Sequence, residues 1–289
     1  MGGRSLTKAI SIIIPAHNEE KVIAAALNPL AEAASSGFLE IIVVCNGCTD
    51  KTVEVVTSFG DAVKCIVTPI PSKTNALNLG DAAALFFPRI YLDADIILSL
   101  DTIRQIAQVL QPGKFLAASP TMQMDLRNSS WPVRSYYEVW QQLPYIKEGM
   151  IGTGVYALSQ EGRKRFDTFP LIIADDGYIR ALFISHERIS VDSCHSLVRA
   201  PADLNSLLKI KTRSRLGGFE LKKKFPELLK NEEKNYHYAV FKLLRKIQLW
   251  PKVLVYLYVN LKSRLQANKH ARIQGYTGWD RDESSRNVL

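Results

Sequence analysis

Cysteine is scarce, with only 4 in 289 residues, so a disulfide-stapled scaffold is excluded. No secretory signal is visible at the start: the first apolar run, Ile10 to Ile14, is short and is followed by acids. No apolar stretch approaches the ~20 residues of a spanning helix. The nearest, Val253 to Leu261, is far too short. Internal repeats and low-complexity blocks are also missing. Few cysteines and no signal together predict a cytoplasmic protein. Acidic residues are depleted at one end only. Residues 1–200 carry 18 Lys and Arg against 20 Asp and Glu, a net of −2. Residues 201–289 carry 19 against 8, a net of +11. That end meets something anionic or keeps the chain soluble by repulsion.

What is present is a regular alternation in the first hundred residues. Short apolar runs at Ile10–Ile14, Ile41–Val44, Val63–Val67 and Ile90–Leu92 predict strands. Helix-like segments separate them: Glu19 to Ala34 with Asn18 as its cap, Asp50 to Phe59 capped by Thr49, and Lys73 to Leu85. This pattern predicts an α/β fold with a mostly parallel sheet flanked by helices. Further on, Lys114–Ser119 and Arg188–Asp192 are predicted strands, and Trp131 to Gln142 and Ala174 to Phe183 predicted helices. From Asp203 the chain reads as basic helices, broken at Gly217-Gly218 and at Trp250-Pro251.

Parallel sheets bind ligands at the carboxyl ends of their strands, and the polar groupings fall there. Asp93-Ala94-Asp95 follows the fourth strand; if the strand continues, i and i+2 share a face. Two hard carboxylates suit Mg²⁺ or Mn²⁺ with substrate phosphates, and a helix cap is the plainer reading. Pro15, Ala16, His17 and Glu19 form a polar ledge after the first strand, fit for a base or phosphate or simply for helix capping. Cys45-Asn46-Gly47-Cys48 reads better as a strand-end turn with Asn46 facing the crevice than as a redox or zinc motif, because no second Cys or His pair completes it. Asp175-Asp176 suits either a helix start or a general base with a neighbour. Lys209, Lys211, Arg213 and Arg215 alternate like a cationic strand or arm for a diphosphate, or like a solvated basic face.

The segments IIIPAHNE, VVCNGCTDKT, KTNALNLG, YLDADI and ADDGYIR, in that order, resemble the inverting family-2 glycosyltransferases of GT-A fold over roughly residues 8–220. The resemblance implies a GT-A catalytic domain at 1–217, with a nucleotide-binding half of about 1–97 and an acceptor half of about 98–217. A basic helical extension and tail occupy 218–289. It implies a metal-dependent transferase of hexosyl type in polysaccharide or glycolipid assembly. Pro15, Ala16, His17, Glu19 and Asn46 would line the base pocket. The family usually has an aromatic residue at His17 and an acid at Asn46. Lys73, Asp93 and Ala94 would lie by the nucleotide, with Asp95 and Asp93 as ligands of Mg²⁺ or Mn²⁺. Gly152, Thr153 and Gly154 would form the acceptor loop. Asp176 would be the catalytic base beside Asp175, and Arg213 and Arg215 the diphosphate contact.

The implied partners are a nucleoside-diphosphate sugar and a sugar or lipid-linked acceptor, with no nucleic acid. Residues 240–270 read either as an amphipathic helix on the inner face of the cell membrane or as helices packed on the catalytic domain. The alternatives are a sugar-nucleotide nucleotidyltransferase, which usually has a Gly-rich basic loop where this chain has PAHNEE, and a non-catalytic membrane or nucleic-acid binder.

Overall fold

The computed structural model describes residues 9–111, 115–143, 146, 150, 153–231, 249–273 and 275–276. Two compact units divide the chain. Residues 1–122, 152–171 and 186–197 form the first; residues 123–151, 172–185 and 198–289 form the second.

The first unit is built on a seven-stranded sheet: β1 (Ile10–Ala16), β2 (Leu39–Asn46), β3 (Lys64–Thr68), β4 (Arg89–Leu92), β5 (Ala117–Asp125), β6 (Val155–Leu158) and β7 (Arg188–Arg199). The order across the sheet is β3-β2-β1-β4-β6-β5-β7. Strands β1 to β4 are parallel, and β6 runs antiparallel to β4 and β5. Every residue of β1 is buried, as expected of a parallel strand covered on both faces.

Helix α1 (Ile23–Ser35) lays Ile23, Ala26, Leu27, Leu30 and Ala33 against the core at helical spacing. Helix α2 (Thr52–Thr57) is short. Helix α3 (Lys73–Ala83) buries Ala76, Leu77 and Gly80. A Cβ at Gly80 would stand 2.5 Å from Ile13 Cγ2, so only glycine lets α3 lie this close to β1. Helix α4 (Leu100–Val109) is capped by Ser99, which accepts from the Thr102 amide. The short α6 (Gln160–Arg163) follows β6.

The second unit is helical. It holds α5 (Trp131–Trp140), α7 (Asp175–Leu182), α8 (Leu204–Lys224) and α9 (Trp250–Ile273). Ile173, Leu216 and Ala267 form a buried cluster, and Tyr136 of α5 stacks on Tyr256 of α9 at 5.2 Å.

Several expectations are corrected. Residues 19–22 form a turn, and α1 starts at Ile23 because the Asn18 side chain accepts from the Thr49 amide and caps no helix of its own. Helix α2 starts at Thr52, so Thr49 does not cap it. Asp93-Ala94-Asp95 lies past the end of β4, in a turn closed by the Ile96 amide on Asp93 O at 3.1 Å, so strand parity does not align the two acids. Strand β7 runs on to Arg199.

Gly217-Gly218 does not break the chain. Helix α8 passes through both, so a domain boundary at 217/218 would cut a continuous helix. Gly217 is there for close approach: a Cβ on it would lie 2.9 Å from Ala174 Cβ and 3.2 Å from Ala174 N. Gly217→Val is expected to destabilise the second unit by about 1–3 kcal/mol, measured by urea unfolding. A neutral effect would refute that tight contact. The predicted cationic strand at Lys209–Arg215 is also part of α8. A helical period places Lys209 with Arg213 and Lys211 with Arg215 on separate faces.

Candidate active site

In the first unit β1 is flanked by β2 on one side and β4 on the other, so the winding of the sheet reverses at β1/β4. Ligand crevices in open parallel sheets lie outside the strand ends at such a switch point. The loops after β1, β2 and β4 therefore meet where a ligand is expected.

The first two loops are clasped together. Asn46 Nδ2 donates to Ala16 O at 2.8 Å, and His17 Nδ1 donates to Asn46 O at 2.6 Å, which assigns the ring proton to Nδ1. The Glu19 amide donates to Thr52 Oγ1 at 2.7 Å, and the Glu20 amide to Asp50 Oδ2 at 3.1 Å. The Lys51 amide returns to Glu20 Oε2 at 3.0 Å. Asn18 sits at φ 53°, a left-handed conformation that asparagine tolerates well. Gly47 has φ 59°, and a Cβ there would lie 2.8 Å from Pro71 Cβ, so the turn needs glycine twice over.

Asp50 anchors this clasp. Burial works to raise its pKa, but the hydrogen bonds from the Thr52 hydroxyl and amide and the Glu20 amide outweigh it and hold the pKa below the usual 3.8. A depressed carboxylate stabilises the clasp above pH 3.8, and that stabilisation is lost as pH falls through the folded value. Amide exchange at Glu20 and Thr52, corrected for intrinsic pH dependence, is expected to accelerate there; equal protection above and below that range would contradict it.

Cys45 and Cys65, beside this loop, are poor nucleophiles. Cys45 Sγ lies 3.9 Å from Cys65 Sγ, and burial, then the neighbouring Cys65 and Cys48, raise the Cys45 thiol far above its ordinary pKa. This opposes a redox role for the Cys45-Cys48 pair.

The third side of the crevice comes from α3 and β4. Lys73, the first residue of α3, places its ammonium 2.8 Å from Asp93 Oδ1, with both side chains partly open to solvent. The Asp93 amide donates to Gly154 O at 2.8 Å. Gly154 is at φ 65°, and a Cβ on it would run into Ile96. Thr153 is buried: its hydroxyl donates to Val155 O at 2.6 Å and its carbonyl accepts from Ser196 Oγ at 2.8 Å. Thr153 and Gly154 thus stand beside Asp93, whereas Gly152 lies outside the described residues. Ala94 is buried and Asp95 half-buried.

Two carboxylates in an open turn offer hard oxygens. No group of three or more His, Cys, Asp or Glu suited to a metal occurs among the described residues. That donor set fits Mg²⁺ or Mn²⁺ completed by phosphate and water, and does not fit a closed protein cage.

The second unit carries the other acids. Asp175 is buried, while Asp176 is exposed in the first turn of α7, accepting from the Gly177 amide at 2.7 Å. The backbone just before them is held by α8: buried Glu220 accepts from the Ile173 amide at 2.8 Å, and Gly217 packs on Ala174. Sequence reasoning missed Glu220 and Gly217, because nothing local marks contacts 43 or more residues away. The segment between Pro15 and Asp50 likewise hid Thr52 and Asp50 as the joints of the clasp.

Arg213 and Arg215 sit on α8. Arg215 Nε donates to Ser263 Oγ at 2.8 Å, and its other end reaches Asn260 on α9. Lys211 points its ammonium at the Trp140 ring, 4.5 Å from the centroid, and burial, then Arg215, lower its pKa to about 7. Lys211 and Arg215 are thus engaged within the unit though only half-buried, while Lys209 is exposed.

Comparison with known proteins agrees with this geometry. The probable glycosyltransferase YdaM of Bacillus subtilis (strain 168) is 38% identical over 81 residues, so the match spans 25% of this chain and 19% of that protein. Among solved structures, the mannosyltransferase PcManGT of Pyrobaculum calidifontis in complex with GDP-Man and Mn²⁺ superposes with a TM-score of 0.58 at 16% identity. That match covers 93% of this chain and 76% of the other. Glucosyl-3-phosphoglycerate synthase of Mycobacterium tuberculosis with Mn²⁺, UDP-Glc and phosphoglyceric acid gives 0.54 at 20% identity, covering 75% and 79%. These likenesses establish a GT-A fold. The family model for glycosyl transferase family 2 matches residues 11–177, more than half the sequence, and the chain belongs to that family.

Proposed function

We propose that the protein is an inverting transferase that moves a hexosyl group from a nucleoside-diphosphate sugar to an acceptor hydroxyl, in polysaccharide or glycolipid assembly. The observation that carries this reading is the Lys73–Asp93 pair at the switch point, with Asp95 in the same turn. It puts a cation and two carboxylates where a diphosphate would lie. Structural relatives crystallised with GDP-Man or UDP-Glc and Mn²⁺ support it.

In this reading the clasped loop from Pro15 to Glu19, with Asn46, holds the base, and the Lys73 ammonium faces the diphosphate. Asp95, assisted by Asp93, would hold Mg²⁺ or Mn²⁺, which supplies neutralising charge for the leaving diphosphate. Thr153 and Gly154 border the acceptor. Asp176 takes the proton from the acceptor hydroxyl. The freed oxygen bonds to the anomeric carbon from the face opposite the diphosphate, and the electron pair of the breaking C–O bond leaves with the diphosphate oxygen. Attack from the opposite face inverts that carbon. Asp175 sets the start of α7, and Arg213 gives further charge to the diphosphate, with Arg215 held beside it by its bonds to Ser263 and Asn260.

Calorimetric titration with UDP, GDP, dTDP and CDP, each in Mn²⁺ and in EDTA, tests the donor class. One nucleotide is expected to bind tightly only with metal. Asp95→Ala is expected to weaken that binding on the order of tenfold or more and to abolish its response to EDTA. Affinity that ignores both metal and this substitution would remove Asp95 from the role.

A further inference from the structure

Helix α9 has two unlike faces. Val253, Val259, Ser263 and Ala267 are buried against the second unit. Trp250, Leu254, Leu257, Tyr258, Leu261 and Leu265 are 46–67% exposed. Steps of three and four residues align these six in one stripe along the solvent side. From Trp250 to Leu265 the stripe runs roughly 22 Å along the axis, so it is an extended apolar strip and not a scatter of single side chains.

We propose that this stripe docks the protein on an anionic lipid surface. The charges around it select that occupant. Lys262, Arg264, Lys269 and Arg272 lie on α9, and the helix contains no Asp or Glu, while Lys252 is already paired with Glu138 at 2.6 Å. Lys262 and Lys269 flank the stripe on one side and Arg264 on the other, all exposed. Such cations extend their stems along the apolar strip and set their heads at the level of lipid phosphates. Trp250 and Tyr258 are residue types that favour the interfacial layer. No helix among the described residues is long and apolar enough to cross a membrane, so the helix lies in the interface plane. A second copy of the chain is the poorer occupant. Two-fold pairing of α9 would set side by side two helices that carry only cations, with no carboxylate on either to offset them. The proposal rests on α9 alone and stands or falls separately from the donor reading.

The test is flotation of the full chain with phosphatidylcholine vesicles, with and without phosphatidylglycerol. The wild type is expected to float with the anionic vesicles, less so at high salt. The triple variant Leu254→Asn, Leu261→Asn, Leu265→Asn is expected to stay behind; its positions are exposed, and an unchanged circular dichroism spectrum confirms the fold. Lys262→Gln and Lys269→Gln are each expected to weaken binding about fivefold. Wild type that remains in the soluble fraction with anionic vesicles overturns the proposal. So does flotation unaffected by the triple variant. A dimer in sedimentation velocity that the triple variant converts to monomer assigns the stripe to self-association instead.

Discussion

Asp176→Asn is expected to lower the rate of sugar transfer on the order of a thousandfold, with nucleotide affinity unchanged. The amide keeps the shape of the side chain and its place in the first turn of α7, but it takes no proton from the acceptor. Asp176 is suited to the task because it is exposed, whereas its neighbour Asp175 is buried at the same helix start. The pair is steadied from behind by the Ile173 amide on Glu220 and by Gly217 against Ala174. Single-turnover transfer, measured beside a nucleotide titration, separates chemistry from binding. A variant that keeps a tenth or more of the rate, by order of magnitude, would assign the proton to another group.

Asp81→Ala is expected to cost about 3–5 kcal/mol of stability in urea unfolding. The Asp81 side chain is almost fully buried. It accepts from Arg89 at 2.7 Å, from Arg163 Nε at 2.7 Å and from Tyr91 Oη at 2.5 Å. Removing it strands two guanidinium groups and a phenol in the core, which is the costly way to break a buried ion network. Burial, then Asp81 itself, holds the Tyr91 hydroxyl well above its ordinary pKa, so the phenol stays a neutral donor. The network also has a functional address. Asp81 lies on α3 and Tyr91 on β4, the two elements that bring Lys73 and Asp93 within 2.8 Å. Loss of Asp81 is therefore expected to loosen the proposed nucleotide site as well. A cost below about 1 kcal/mol would show the network to be dispensable.

The alternation of apolar runs with helical segments was legible in the sequence because both signals are local. A buried parallel strand announces itself as a β-branched run such as Ile12–Ile14, and α1 and α3 carry their core faces at three- and four-residue spacing. The order of the short motifs was enough to point to the family. Boundaries set by partners from elsewhere in the chain were not legible. Asn18 resembles a helix cap until Thr49 claims its side chain, and Gly217 resembles a helix break until Ala174 is seen against it.

The sequence by itself determined every strand but β6, most of the helices, the placing of polar groups after β1, β2 and β4, and the strongly basic character of the last ninety residues. Only the tertiary structure decided that Lys73 pairs with Asp93, that Asp81 ties α3 to β4, and that α8 runs unbroken. It also decided that the second unit gathers three separate stretches of chain, and that α9 buries one face and leaves its apolar stripe outside. Periodicity records which side of an element is apolar. Which partner meets that side depends on contacts between residues far apart in the chain, and those exist only once the chain has packed.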